Sequence, residues 1–585
     1  MPDSQREIPW PALAALCALL VVAPSLRGGF VWDDRWAIEQ SPLLTQPGML
    51  PRLLAERHGF GSMVTTDDGG SGYYRPLATW LHGLLLVTVG AKPFLFHLLS
   101  VALHAGASAA LALWLRRWGR NAAAAALLFS VHPVAADTAA WISATPDLLA
   151  ALCVFLGLAA FDRRRYWRAG LLLLLAPLGK ESGLVGLLWL GLTACARPVA
   201  GAPIGGRSTA VRVGVAALVG YLAVRAVTVG LTPSPAEIPP GLRIAGPDLV
   251  GRLFLMNGWR LLVPFPMTLE PFPWVVAATP RWSGWLGLAL AGGLAALGLL
   301  ALARGRRSWG LLLLPLAALL PVAQIIPTSD IFGGRFLYLP LAGLAAGLAA
   351  LTPASGIGRP VRIAGVPLLL ALAVGGWARA SEWRDDRTLF GREIERNPAS
   401  LRAQVLWAGH LLNGGQLEAA RPWIEGLGRA LPDHPRVRYQ EALLWMNENR
   451  AAEAERVFSD LYRNWRQSPS LLANLAGCQL RLGKFEEGLR TLDQATANST
   501  PTAGMRNNRG LALRALGRHQ EARSEFEQAI VQEPDYRPAR ANLVFLLARE
   551  LALPEEARTA AAEYLRRFPK GPEADAVRAV LGSTP

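Results

Sequence analysis

Eleven apolar stretches fill the first two thirds of the chain: 9–26, 94–115, 121–137, 147–161, 166–180, 182–196, 212–230, 284–303, 308–326, 335–351 and 363–380. A helix needs about 20 apolar residues to cross the hydrocarbon core of a bilayer. Most of these stretches approach that length; the fifth, "YWRAGLLLLLAPLGK", is short. A water-facing helix would need a polar stripe, and these segments have none. The pattern therefore predicts an all-α, polytopic membrane helix bundle of about eleven spans. The composition agrees, with 52% hydrophobic and only 17% charged residues.

The net charge is +16. In a nucleic-acid binder it would gather in a basic patch. Here it falls in short arginine groups between apolar runs: Arg116–Arg120, Arg163–Arg168, Arg197–Arg212, Arg304–Arg307 and Arg359–Arg362. Cytoplasmic loops carry such groups. An inside N-terminus puts all five groups in the cytoplasm if "RPLATWLHGLLLVTVGA", 75–91, is left out as an interfacial helix at the outer surface. Segment 251–265, broken by Pro264 and Pro266, is read the same way. The outer loop His132–Asp147 has no Lys or Arg. The first run, 9–26, is read as a retained span rather than a cleaved leader, because it lacks a small-residue cleavage site. Eleven spans place the C-terminus outside. The four cysteines form neither a disulfide framework nor a zinc spacing.

After Trp383 the charges rise and a 34-residue period appears. Asn474, Asn508 and Asn542 share it. So do Gly415, Asn449, Gly483 and Gly517, and Ala420, Ala454, Gly488 and Ala522. The unit from Asn508 has Gly510, Gly517, Ala522, Phe526, Ala529 and Pro534 where a tetratricopeptide repeat needs small residues, an aromatic and a terminal proline. Residues 397–570 then hold about five units of an α-solenoid. The expected organisation is a membrane domain over 1–381 with an outward first loop 27–93, a linker 382–396, and a repeat domain 397–585.

Two adjacent carboxylates, Asp33 and Asp34, lie just past the first span in "FVWDD", near Phe30, Trp32 and Trp36. They are followed in order by "YYRPLATWL", "FSVHPVAADTAAWISATPDLLAAL", "LGKES", "GGRFLYLPLAGL" and the repeats. Together these resemble the TMTC family of transmembrane and TPR-containing proteins, placed among the GT-C glycosyltransferases and implicated in O-mannosylation. The resemblance implies a GT-C-like membrane part, a polyprenyl-phosphate-linked sugar donor, a protein hydroxyl acceptor, and a site at the outer membrane face. Two positions depart from the family pattern: Asp137 stands where Glu is usual, and Gly334 where an acidic residue is common.

The residues fit that chemistry. Transfer to a hydroxyl needs a base, and Asp33 or Asp34 can serve; the other would orient the acceptor or hold a divalent metal. The competing reading makes Asp34 the N-cap of a helix starting at Arg35. Lys180, with Glu181 beside it, can meet a phosphate as a point charge, or be a snorkelling interfacial lysine. Arg335 can grip the phosphate bidentately, Tyr338 can add a hydroxyl one turn on, and Arg75 can meet donor or acceptor. His132 is a candidate binding residue, but its place before Pro133 fits a helix boundary better.

Two function classes follow. One is an integral-membrane glycosyltransferase that moves a sugar, mannose by resemblance, from a polyprenyl phosphate to Ser or Thr of exported polypeptides presented by the repeats. The other is a non-catalytic membrane-anchored scaffold for envelope proteins. Partners are then membrane lipid, the lipid-linked sugar and an exported polypeptide, with no nucleic acid. The Ala-, Arg- and Leu-rich bias suggests a bacterial inner membrane with periplasmic repeats.

Overall fold

The structure, a computed structural model, describes residues 9–39, 75–118, 124–195, 206–228, 246–269, 280–304, 307–323, 333–351, 359–465, 469–496 and 501–583. All regular structure among them is helical. The chain divides into two compact units at Leu406/Trp407. Residues 40–74 of the expected first loop, and Arg120 and Arg197 of the basic clusters, lie outside the described residues.

Among the described residues of the first unit six helices are long and apolar enough to cross a membrane: Trp10–Arg27, Pro93–Trp118, Ile142–Asp162, Arg207–Thr228, Arg281–Ala303 and Ile363–Glu382. Five more are apolar but shorter: Pro76–Val89, Tyr166–Gly179, Glu181–Cys195, Gly310–Val322 and Gly334–Ala349. The expected count of about eleven full spans is thus not reached by length. The physical reasons are local. The stretch 121–137 is broken at His132, where Ala125–Val131 ends and Pro133–Ala140 begins, because Pro133 has no N–H for the preceding helix. The stretch 308–326 holds only a short α-helix, Leu313–Leu319, with tighter turns at both ends.

The long helices leave Leu16, Leu20, Val211, Val215, Leu290, Leu297, Leu368 and Leu370 exposed. Bare apolar faces on so many helices belong against hydrocarbon. Trp167, Trp282 and Trp285, near helix starts, are exposed as well, the pattern of an interfacial aromatic belt. Trp10–Val22 packs on Pro93–Leu115, which packs on Thr145–Asp162, and Pro133–Ala140 packs on Arg359–Glu382. Where Pro247–Leu262 crosses Arg281–Ala303, a side chain at Gly251 would run into the Gly284 backbone. Small residues allow this close approach, a common device between membrane helices.

The second unit is the repeat array. Helix pairs run Leu401–Asn413/Leu417–Ala430, Pro435–Asn447/Ala451–Asn464, Pro469–Arg481/Phe485–Thr496, Ala503–Ala515/His519–Gln532 and Arg537–Phe545/Pro554–Arg567, followed by Ala574–Ser583. Gly415, Asn449, Gly483 and Gly517 all adopt positive φ between paired helices, the left-handed turn residue that glycine and asparagine take most cheaply. Ala420, Ala454, Phe458, Ala522 and Phe526 are fully buried. Residues 386–396, expected within a linker, form the helix Asp386–Arg396, with the Asp385 side chain accepting from the Thr388 N–H at its N-terminus.

Candidate functional site

The first long helix passes through a tight turn, Ala23–Arg27, into the loop that carries the paired acids. Two contacts tie this loop to distant segments. The Gly29 N–H donates to the Arg384 carbonyl at 2.9 Å, and His97 Nε2 lies 3.2 Å from the Gly29 carbonyl. Trp32 then adopts φ 57°, which a bulky residue seldom does. Two contacts hold it there. Its N–H donates to Asp386 Oδ1 at 2.7 Å, and its ring stacks on Trp141 with centroids 5.0 Å apart. Trp141 also stacks on Trp383 at 5.1 Å. Of the aromatic setting expected around the acids, Phe30 and Trp32 are described; the Trp36 side chain is not.

Both carboxylates are buried and both are met by one short segment, Trp141–Ser143. Trp141 Nε1 donates to Asp33 Oδ1 at 2.8 Å. Asp34 Oδ1 accepts from the Ser143 N–H at 2.8 Å and from its hydroxyl at 2.5 Å. Asp34 Oδ2 accepts from the Val31 N–H at 3.2 Å. The Asp34 side chain therefore turns back and across, away from the helix that follows it, which is not how an N-cap binds. Burial first, and then the adjacent Asp33 charge, push the Asp34 carboxyl well above the usual carboxylate range, against the pull of the Ser143 and Val31 bonds. Desolvation and a like-charged neighbour both favour the neutral acid.

The same segment leads to the cations. The Arg335 guanidinium lies 4.3 Å over the Trp141 ring. Asp147, in the first turn of Thr145–Asp162, accepts from Lys180 Nζ on both its oxygens, at 2.6 and 2.7 Å. Lys180 Nζ also sits 5.1 Å from the Phe336 ring centroid. Arg75 and Arg335 are near enough to act on the Lys180 charge. Arg75 in turn pairs with Glu181 at 3.2 Å. Three cations and four acids, Asp33, Asp34, Asp147 and Glu181, thus meet around Trp141–Asp147, with Lys180 paired to Asp147 and Arg75 to Glu181.

Behind Trp141 lies a buried ionic network. Asp137 Oδ1 accepts from Arg379 Nε at 2.7 Å and from Trp383 Nε1 at 2.8 Å. Arg379 Nη1 continues to Glu382 at 2.6 Å, and Arg396 also pairs with Glu382. The absent side chain at Gly334 has a reason here: a Cβ would collide with Asp137 Oδ2. The two departures from the family pattern, Asp137 and Gly334, are therefore in contact.

Of the residues singled out from sequence, Asp33, Asp34, Arg75, Lys180, Glu181 and Arg335 are gathered around Trp141–Asp147. Two are not. His132 caps Pro133–Ala140, its Nδ1 accepting from the Val134 N–H at 3.2 Å; an eight-residue helix, about 12 Å long, separates it from Trp141. Tyr338 directs its hydroxyl into the core, 2.7 Å from His104 Nδ1. Sequence reasoning missed Trp141, Ser143, Asp147, Arg379, Trp383 and Asp386. The one available signal was "WISATPD", in which a tryptophan, a hydroxyl and an acid sit together beside a proline-started helix.

Comparison with known proteins follows the same lines. The "Protein O-mannosyl-transferase Tmtc1" of Drosophila melanogaster is 30% identical over 208 residues, 34% of this chain and 24% of that protein. The mouse "Protein O-mannosyl-transferase TMTC1" is 34% identical over 156 residues, 26% of this chain and 16% of its own length. The human counterpart is 31% identical over 156 residues, 26% of this chain and 18% of its own. This chain is TMTC-like. The matches span a quarter or less of those relatives' lengths. Within the array, residues 396–543 match the family model described as "T7SS, ESX-1 secretion system protein EccA1, N-terminal domain". Among solved structures, a thermophilic TPR protein in Thermus thermophilus matches at 20% identity and TM-score 0.28, over 31% of this chain and 98% of that one.

Proposed function

We propose that this TMTC-like membrane protein is a GT-C-type glycosyltransferase that moves a sugar, mannose in this reading, from a polyprenyl phosphate to Ser or Thr hydroxyls of exported polypeptides. The observation that carries the reading is the segment Trp141–Asp147, which bonds both carboxylates at one end and Lys180 at the other, with Arg335 over its tryptophan. A scaffold has no need to gather buried acids and cations at one place. The names of the curated relatives support the sugar and the acceptor class.

The acceptor oxygen attacks the anomeric carbon, and the bond from that carbon to the phosphate oxygen breaks. The hydroxyl proton passes to Asp33. The electron pair leaves with the polyprenyl phosphate, whose charge meets Lys180, Arg335 and Arg75. Cations fixed in place before the reaction stabilise such developing charge better than water does. Asp34, with three bonds already on its oxygens, fixes the loop and orients Asp33. A resident divalent metal does not fit this donor set: Asp34 is occupied, and no group of three or more His, Cys, Asp or Glu ligands gathers among the described residues.

In this reading residues 1–381 form the catalytic membrane part. Residues 397–585 present the acceptor on the periplasmic side of a bacterial inner membrane, with 382–396 between. Stacked repeats offer an extended binding surface of the right kind for an unfolded chain.

The test uses purified protein, a mannosyl polyprenyl phosphate and a Ser/Thr-rich acceptor. Asp33→Asn keeps the side-chain size and is expected to lower transfer about 10²- to 10⁴-fold, with little change in thermal stability. Full activity in the variant would overturn the assignment, and activity abolished by chelation would overturn the metal-free reading. Removing 397–585 is expected to spare transfer to a short peptide and to lower it for long polypeptides. Undiminished transfer to the long acceptors would sink the presenting role.

A further inference from the structure

Outside this site, the helices Tyr166–Gly179 and Arg207–Thr228 pack together and leave a cavity of about 430 Å³ between them. Its lining includes the small residues Gly170, Ala216, Ala217 and Gly220 and, near the starts of the two helices, Trp167 and Arg212. Gly220 admits the Leu174 side chain, and at Gly170 an added Cβ would meet only Val213 at 3.9 Å, so the groove is open there. Neighbouring Leu171, Val215 and Val219 are exposed, so the groove opens sideways onto an apolar face. Arginines gather at the starts of both helices, whereas the far ends carry Arg225 and the Asp147-paired Lys180. Residues 163–168 and 206–212 hold six arginines and no acid. Arg168 rests against the Trp167 ring at 5.1 Å, which holds a guanidinium beside the groove mouth.

An apolar slot between two spans, closed at one end by arginines and an interfacial tryptophan, matches a lipid in both halves. Hydrocarbon fills the slot and a phosphodiester meets the guanidinium groups. We infer that this groove binds an anionic glycerophospholipid from the leaflet on the arginine side, with its phosphate on Arg212 and Arg168 and an acyl chain along the Gly170–Gly220 lining. The site shares no residue with the Asp33–Asp34 centre and stands whether or not that centre is catalytic.

The full chain, purified in mild detergent, is mixed with equal amounts of phosphatidylglycerol and phosphatidylcholine of matched chain length, and retained lipid is counted by native mass spectrometry. Retention of phosphatidylglycerol should exceed that of phosphatidylcholine by about fivefold or more, the effect of roughly one well-placed arginine. Arg212→Gln should bring the ratio close to one. Gly170→Leu, whose side chain enters the slot, should remove retention of both. Gly191→Leu, placed where a Cβ meets nothing within 4 Å, should behave as the parent and controls for folding. No preference in the parent, an unchanged ratio in Arg212→Gln, undiminished retention in Gly170→Leu, or displacement of the bound lipid by added polyprenyl phosphate would each overturn the assignment.

Discussion

In the repeat array the described polar contacts reach no further than about one period along the chain: Arg514 to Glu550 is 36 residues, Asn542 to Asn507 is 35, and Arg509 to Glu525 only 16. In the membrane unit several of the contacts that build the site reach much further, although Lys180 to Asp147 is only 33 residues. Asp33 to Trp141 is 108 residues, Arg379 to Asp137 is 242, and Trp32 to Asp386 is 354. The array is close to one-dimensional, so each unit's stability depends on itself and its neighbours. The membrane unit closes loops of hundreds of residues around one small polar centre. Damage should therefore stay local in the array and spread in the membrane unit.

The sharpest way to break this contrast is to cut one ion pair in each region. Arg379 is only 2% exposed and bonds Asp137 and Glu382. Arg379→Met leaves buried Asp137 with the Trp383 N–H but no ion pair and Glu382 with Arg396 alone, and should destabilise the membrane unit by about 3–5 kcal/mol, lowering the proposed transfer as well, because Trp383 and Trp141 lose their backing. Arg523, at 29% exposed, pairs with Glu527 and Glu556. Arg523→Ala should cost no more than about 1 kcal/mol. Thermal unfolding of both variants in detergent checks the pair, and equal losses would erase the distinction.

That contrast also explains what could be seen in the sequence. Every 34-residue spacing named from sequence is a set of equivalent positions in the array, because a local repeat writes its contacts into its own period. The acids, Lys180, Arg335 and Arg75 were legible as chemical types near helix ends. Their connecting residues were not. Nothing in "WISATPD" says that Trp141 will meet Asp33, since that contact is set by the packing of three helices. The span lengths were only partly legible for a related reason. Hydropathy measures apolar length but not helix continuity, and Pro133 divides a largely apolar segment into two short helices.

The second way to sharpen the comparison is pH. Asp34 is pushed up by burial and Asp33. In the array, Asp460 is held down by the Arg438 bond and then by Asn464. The signs are opposite. Between the ordinary carboxylate value and the raised one, folded Asp34 keeps a proton that the unfolded chain has released. Its contribution is therefore full at low pH and is lost as pH rises through the raised value, by at most about 1.4 kcal/mol per pH unit. The Asp460 contribution is present above the ordinary value and is lost on acidification. Asp34→Asn should thus gain stability relative to the parent as pH rises from about 4, while Asp460→Asn should lose its disadvantage as pH falls below that value. A parent that gained on Asp34→Asn with rising pH would reverse the assignment of the buried acid.

The smallest effect tests how strictly local the array is. In four units the left-handed residue is Gly415, Asn449, Gly483 or Gly517, spaced by 34. The fifth should fall at 551, but the residue with positive φ is Ala552, at 52°. The cause is a wide turn, Leu546–Glu550, in which the Leu551 N–H reaches back to the Leu546 carbonyl at 3.0 Å. Such a turn inserts one residue. Everything after it shifts by one: the buried small residue is Ala557, where Ala522 predicts 556, and Ala561 takes the place of Phe526. A left-handed alanine costs about 1–2 kcal/mol that glycine avoids, part of which glycine returns through its looser unfolded chain. Ala552→Gly should then stabilise the fifth unit by about 1 kcal/mol or less. Hydrogen exchange of the full chain reads this directly. Slower exchange confined to Arg537–Arg567 and its neighbours is expected, with no change in the Asp33–Asp34 loop. A response in that loop would mean that the array is not the self-contained unit its contact spacing implies.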